Sequence, residues 1–268
     1  MTGLPFPDID PIAIHFGEAF GIRWYALAYL AGFLGGWFYG GTLADWDRDR
    51  RPNREDIDHI LPLLVLGVIL GGRIGYVLFY NPAYYWENPV KIPFIWEGGM
   101  SFHGGLLGVA AVCLWYARRH KFSALALGDI LAAAAPIGLF FGRIANFING
   151  ELLGRVTTVS WAVIFPYGGG LPRHPSQLYE AGLEGLCLFV VLLLAARRPT
   201  IRRTPGMLLG IFIAGYGVSR FIVEFYREPD PQVGLIIQYF SLGQLLSLPM
   251  IIAGIFLISH VRQSKTAA

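Results

Sequence analysis

The sequence predicts an all-α membrane protein, a polytopic bundle of about seven transmembrane helices with the N-terminus outside and the C-terminus in the cytoplasm. Three observations predict it. Of 268 residues, 54% are hydrophobic and only 15% charged, against roughly 25% charged in soluble domains, and mean hydropathy is +0.51. Apolar runs recur at lengths near the about 20 residues that a bilayer crossing takes. The 21 Lys and Arg against 18 Asp and Glu give a net charge of +3, and the basic residues gather in short clusters between apolar runs. That pattern is a topology signal and not a nucleic-acid surface.

Seven apolar segments follow in order, at about 21–43, 58–80, 101–117, 124–149, 176–196, 206–226 and 239–260, the third short and the fifth interrupted. Together they make a single integral-membrane domain over residues 1–268. Its 34 glycines suit close helix packing where lipid offers no hydrophobic drive between helices. The connections near 48–54, 118–121 and 197–203 and the C-terminal tail hold Arg48, Arg50, Arg51, Arg54, Arg118, Arg119, Lys121, Arg197, Arg198, Arg202, Arg203, Arg262 and Lys265. The alternate connections hold only Lys91, Arg155, Arg173 and Arg227, so the positive-inside rule places the N-terminus outside. The first twenty residues lack a basic n-region ahead of a short apolar core, and so are not read as a cleavable signal peptide.

Cys113 and Cys187 lie in apolar runs without metal-ligand spacing and are expected to be small buried hydrophobes. No HExxH, GxSxG or P-loop pattern occurs, which disfavours zinc or serine hydrolysis.

The polar residues inside the apolar segments carry the functional signal. Arg73, Arg143 and Arg220 lie within spans, where an arginine costs at least about 2.5 kcal/mol and is a functional candidate. At about 1.5 Å of rise per residue, Arg143 and Arg220 fall roughly 10 Å below the outer surface. Glu180, Tyr25 and His103 fall on the same side. Arg143, Asn146 and Gly150 share a helical face, with Asn149 and Glu151 following; Arg220, Glu224 and Arg227 form a stripe that Pro229 ends. Two arginine faces at one depth suit an anionic lipid phosphate, because guanidinium presents a permanent charge in a donor fork. An Arg220–Glu224 pair that only ties helices together is the competing reading, and the two are compatible. His103 precedes Gly104 and Gly105 at the start of the third segment, as a helix cap or as an acid–base group. Glu180 and Glu184 stand four residues apart, fit for helix pairing or for the site. Asp129, near the cytoplasmic end of the fourth segment, is expected to be structural.

HGGLLG at 103–108, GRIANFINGELLGR at 142–155, HPSQLYE at 174–180 and RFIVEFYREPD at 220–230 closely resemble the prolipoprotein diacylglyceryl transferase family of bacterial inner-membrane enzymes. The similarity runs from about Asp8 to about Val261. It implies transfer of the sn-1,2-diacylglyceryl group from phosphatidylglycerol to the lipobox cysteine thiol of an exported preprolipoprotein, with release of sn-glycerol 1-phosphate, as the first step of lipoprotein maturation. It implies as partners phosphatidylglycerol, the signal peptide bearing the lipobox and membrane lipids, with no nucleic acid, and an active site toward the outer leaflet. By matching motifs, the residues it carries over are Tyr25, His103, Arg143, Asn146, Glu151, Gly154, Glu180, Arg220 and Glu224. Of these, His103, Arg143, Arg220 and Tyr25 are expected at the chemistry, and Arg143 and Arg220 together with the others at substrate binding.

That chemistry agrees with the residues. The nucleophile is the substrate's thiol, which suits a chain whose own cysteines look inert. A thiol of pKa about 8.5 needs a base or local positive potential, and a departing phosphate needs cations. His103 suits the first, Arg143 and Arg220 the second. No metal or organic cofactor is called for. The alternatives are a lipid transporter or flippase, for which the half-to-half repeat is missing, and a non-catalytic lipid-binding assembly protein, which has no need of His103.

Overall fold

The computed structural model of the chain describes residues 3–17, 21–229, 235–236 and 240–266. Asp230, which closes the last family motif, and Tyr239, where the seventh segment is expected to begin, lie outside the described residues. The molecule is mostly helical. A helix lies at each expected apolar segment: α1 (Trp24–Asp45), α2 (Arg54–Phe79), α4 (Phe102–Arg119), α5 (Ala124–Ile148), the composite Ser176–Ala196, α9 (Met207–Val223) and α10 (Leu242–Thr266). Between α2 and α4 runs the short α3 (Pro82–Glu87). The composite begins as α6 (Ser176–Glu180), passes through a π-helical stretch at Ala181–Cys187 and ends as α7 (Leu188–Ala196); the short α8 (Pro199–Arg202) follows it. Four helices are long and apolar enough to cross a membrane, namely Arg54–Phe79, Ala124–Ile148, Ser176–Ala196 and Leu242–Gln263, and Met207–Val223 is a shorter apolar helix. Prolines inside α2, α5 and α10 are the kind that membrane helices tolerate when neighbours satisfy the freed carbonyl.

The chain divides into two compact units, Gly40–Gly128 and the remainder, Met1–Tyr39 with Asp129–Ala268. In the smaller unit α2 packs on α4 along a stripe of glycines one turn apart. A Cβ on Gly71 would stand 2.9 Å from Gly108 Cα, and one on Gly75 would stand 2.8 Å from Gly104 Cα. Small residues are therefore required on both helices, since only they let the backbones meet. At the other end of this pair, Asn53 caps α2 in a reciprocal box with Asp56. Asp56 is buried, pairs with Arg51 and accepts from the Tyr116 hydroxyl of α4 at 3.3 Å.

Arg73 is settled by this unit. Its guanidinium donates to five backbone carbonyls of the segment after α3: Ile92 (2.7 Å), Lys91 (2.8 Å), Gly98 (2.5 Å), Gly99 (3.1 Å) and Phe94 (3.2 Å). It is neither an open cation nor the partner of a carboxylate among the described residues. It is a clamp on the α3–α4 connection; Trp86 of α3 and Trp96 of the connection stay exposed, as suits aromatic side chains at a membrane interface.

In the larger unit α1 lies against α5 at Gly32, whose Cβ would reach Gly138 Cα at 3.0 Å; Gly185 of the π-helical stretch meets Phe140 of α5 at a comparable 2.8 Å. The α9–α10 contact is again a seam of small residues, Gly210 and Gly217 against Gly254 and Ser247. Asp129 accepts the N–H groups of Gly206 and Leu209, both at 2.7 Å. It thus caps α9 from α5, which makes its structural role concrete. Between α5 and α6 a small three-stranded sheet forms, β1 (Leu4–Pro5) parallel to β4 (Val163–Ile164), with β5 (Pro172–Arg173) antiparallel to β4. Two further two-stranded ribbons are present, β2 (Ile12–His15) with β3 (Gly21–Arg23) and β6 (Leu235–Ile236) with β7 (Phe240–Ser241).

Two expectations need correction. Cys113 is buried, but Cys187, at the end of the π-helical stretch, is exposed beside the likewise exposed Leu186. The sixth apolar segment leaves the helix at Val223 and not at 226: Glu224 to Tyr226 form a turn, since Glu224 docks on the start of α10 and Arg227 bridges to Gly154. Pro229 therefore follows the helix end instead of making it.

Candidate functional site

Three arginines and three glutamates from α5, the composite helix and the end of α9 meet inside the larger unit. Arg143 projects from the last two turns of α5. Its Nε stands 3.1 Å from Glu180 Oε2 and its Nη2 3.2 Å from Glu184 Oε2. Arg220, in the last turn of α9, donates from Nη1 to Glu180 Oε1 at 2.6 Å, lies 3.9 Å from Glu184 Oε1 and pairs through Nη2 with Glu224 Oε1. Arg227 donates to the same Glu180 oxygen at 3.0 Å. The i, i+4 spacing of Glu180 and Glu184 survives into the π-helical stretch and keeps both carboxylates on the face toward the arginines.

The burial of these groups is uneven, and that unevenness matters. The side chains of Glu180 and Glu184 are 0% exposed, whereas those of Arg143 and Arg220 are each 17% exposed. The cluster is balanced in formal charge, yet what it shows outward is guanidinium. Arg143 Nη1 and Arg220 Nε engage no hydrogen bond among the described residues, so each fork keeps an open edge. Tyr216 of α9 lies within electrostatic reach of all four of these groups.

The segment from the end of α5 to α6 frames this cluster. Gly150 leaves the helix with φ +65°, so it does not continue the Arg143–Asn146 face as its spacing suggests. Glu151 turns back and accepts from Asn146 Nδ2 at 3.3 Å and from Asn149 Nδ2 at 3.2 Å. Leu152 takes a left-handed φ of 56°, unusual for a branched residue. Its carbonyl is held by Ser176 Oγ at 3.0 Å, and the carbonyl of Glu151 by Gln177 Nε2. Gly154 follows, pressed against His174: a Cβ there would meet His174 Cβ at 2.8 Å as well as its carbonyl. Gly154 also bridges to Arg227 and gives its carbonyl to Arg173 Nη1 at 3.0 Å. Arg155 donates from Nε to the Arg227 carbonyl at 2.9 Å. His174 stacks edge-on against Tyr179 and Tyr226, with Nδ1 at 3.1 Å from the Tyr179 hydroxyl. Burial holds its pKa below the usual histidine value, so the ring is neutral near pH 7.

Of the expected site residues, Arg143, Asn146, Glu151, Gly154, Glu180, Arg220 and Glu224 are thus part of one connected assembly. Tyr25 lies in the same unit at the start of α1. Its hydroxyl is 3.4 Å from that of Tyr29, which is within electrostatic reach of Arg143. His103 belongs to the smaller unit. It occupies the first turn of α4, exposed, with no hydrogen-bond partner among the described residues and an edge-on contact to Phe102. The cap of that helix is Ser101, whose Oγ accepts from the Gly104 N–H at 3.1 Å. Capping is therefore not what His103 does.

The profile of the family described as "Prolipoprotein diacylglyceryl transferase" matches residues 11–260. The chain belongs to that family. A relative from Azospirillum brasilense is 55% identical over 269 residues, covering 100% of both chains, and one from Rhodospirillum rubrum is 53% identical, covering 100% of this chain and 98% of its own. A third, from Idiomarina loihiensis, is 52% identical over 96% of this chain and 95% of its own. All three carry the name phosphatidylglycerol–prolipoprotein diacylglyceryl transferase. With its long apolar helices, this prolipoprotein diacylglyceryl transferase family member is a multi-pass membrane protein.

Three further residues join the site: Glu184, which the sequence offered for helix pairing or for the site, Arg227, which it placed on the stripe with Arg220 and Glu224, and Ser241. Glu184 and Arg227 were signalled by their i+4 and i+7 spacings from Glu180 and Arg220. Ser241, which reaches Glu224 from seventeen positions away, carried no local signal.

Proposed function

We propose that the chain is the enzyme that transfers the sn-1,2-diacylglyceryl group of phosphatidylglycerol to the lipobox cysteine of exported preprolipoproteins, in the bacterial inner membrane and from its outer leaflet, as one transferase domain with the N-terminus outside. The observation that carries this reading is the presentation of Arg143 and Arg220: two partly accessible guanidinium forks with fully buried carboxylates behind them. Such a surface offers donors to a phosphate while the carboxylates fix the aim of each fork.

In the reaction so read, the cysteine sulfur attacks the glycerol carbon that carries the phosphate ester. A C–S bond forms, the C–O bond breaks, and its electron pair leaves on the phosphate of sn-glycerol 1-phosphate. Arg143 and Arg220 stabilise the charge that gathers on that oxygen. The thiol must lose its proton, and His103, exposed and with no hydrogen-bond partner among the described residues, is the group assigned to take or orient it. Tyr25 is assigned to the chemistry beside them, and Asn146, Glu151, Gly154, Glu180 and Glu224 shape the binding site around the arginines.

The test is direct: purified protein is incubated with phosphatidylglycerol and a lipobox peptide, and the peptide is weighed by mass spectrometry. A diacylglyceryl mass on the cysteine, matched by released glycerol phosphate, is expected. An unmodified peptide in a preparation that moves the lipid between leaflets would overturn transfer in favour of transport.

A further inference from the structure

We propose that Ser241 is a positioning residue for the transfer reaction, acting on Arg220 through Glu224; the proposal rests on the functional reading above. Ser241 ends β7 and precedes α10. Its backbone N–H is accepted by Gln244 Oε1 at 3.1 Å and its Oγ accepts the Gln244 N–H at 3.2 Å, a reciprocal capping box. The cap uses the hydroxyl as acceptor only. Its single proton is free to be given elsewhere, and it goes to Glu224 Oε2 at 2.6 Å. Ser241, Gln244 and Glu224 are all buried.

The carboxylate is seated further by Gly243. A Cβ at that position would collide with the Glu224 carboxylate and stand 3.0 Å from its Cγ, so only glycine lets Glu224 lie on the first turn of α10. The N-terminus of a helix also favours an anion there. With Oε2 bound to Ser241, Oε1 is the oxygen left for Arg220 Nη2. Glu180 holds Nη1 of the same guanidinium. The two carboxylates fix its plane, and Ser241 is what keeps one of them from rotating. A displaced fork of one ångström is enough to weaken catalysis strongly.

The experiment compares Ser241→Ala, Ser241→Thr and Gln244→Ala with the wild type in phosphatidylglycerol-dependent peptide transfer, alongside thermal unfolding in detergent. Gln244→Ala breaks the capping box but leaves the hydroxyl on Glu224. Loss of a hydrogen bond to a charged group predicts that Ser241→Ala loses about tenfold or more in kcat/KM. Ser241→Thr, which keeps the donor, is expected to recover most of it. Gln244→Ala is expected to melt lower with near-normal turnover. Equal activity of Ser241→Ala and wild type, or an equal loss in Gln244→Ala, would overturn the positioning role. If Ser241→Ala does not fold, the contrast between an active Ser241→Thr and an inactive but folded Ser241→Val decides the same point. A wild type that transfers nothing overturns the transfer reading itself and is thereby distinguished.

Discussion

Glu180 Oε1 accepts from Arg220 at 2.6 Å and from Arg227 at 3.0 Å, so one buried oxygen anchors two guanidinium groups that stand seven residues apart on the chain. Its other oxygen faces Arg143. A carboxylate shared among three arginines is stable in a low-dielectric interior only while all of them stay. The site is for this reason a cooperative unit, and its members are expected to respond to substitution together and not additively.

Arg143 and Arg220 are expected to be required in fork form. Lysine keeps the charge but offers one nitrogen where arginine spans two carboxylates. Arg143→Lys and Arg220→Lys should therefore lose most turnover, as should the alanine variants, which also leave buried carboxylates short of one of their cations, at a cost of up to about 3–5 kcal/mol. Steady-state transfer rates and thermal melts of the four proteins check this, and near-normal turnover in both alanine variants refutes it.

His103→Gln is expected to lower turnover by about 10²–10⁴ without lowering the melting temperature, because Ser101 carries the helix cap. Ser101→Ala is the complementary control, predicted to lose about 1 kcal/mol of stability. A stable His103→Gln enzyme with normal transfer removes the histidine from the mechanism.

Asp129→Ala leaves two N–H groups at the start of α9 uncapped and should cost about 1–2 kcal/mol, with transfer activity retained below the melting temperature. Asp129→Asn, which keeps one acceptor, should fall between. Differential scanning of the purified variants reads the order.

Arg73 clamps the connection from Lys91 to Gly99 by its five carbonyl contacts. Arg73→Ala and Arg73→Lys are both expected to expose that connection, since an ammonium cannot span five acceptors in one plane. Trypsin cleavage after Lys91 should become faster than in the wild type. Unchanged cleavage would show that the connection holds itself.

The connections near 48–54, 118–121 and 197–203 are expected on the cytoplasmic side. Cysteine at position 50, in a background lacking Cys113 and the exposed Cys187, should resist an impermeant thiol reagent added from outside. Labelling there would reverse the topology and with it the depth assigned to the arginines.

How much of this was legible beforehand follows from the range of each interaction. Apolar runs set the helices, because lipid-facing length and composition are local properties: α2, α5 and α10 fall close to their expected bounds. The motif residues named Arg143, Glu180 and Arg220 before any contact was known. Depth along each helix, counted at 1.5 Å per residue, was enough to put these groups at one level. Where expectation failed, at Gly150 and at the end of α9, a turn was decided by partners distant in sequence. The helical face stops at Asn146 because Glu151 folds back onto it. Glu224 leaves α9 because Ser241 and the start of α10 receive it.

The sequence by itself determined that the chain is a helical membrane protein, the family it belongs to and the charged residues proposed to carry its chemistry. Only the tertiary structure decided what each of those charges meets. Arg73 and Arg143 look alike in sequence, each an arginine between apolar turns. One is consumed by five backbone carbonyls and the other lies beside two carboxylates with an open edge. The difference is physical: a buried cation takes whatever acceptors the fold brings within about 3 Å, and those acceptors lie 18 to 26 residues away for Arg73 and 41 away at Glu184 for Arg143, distances over which sequence spacing carries no geometry.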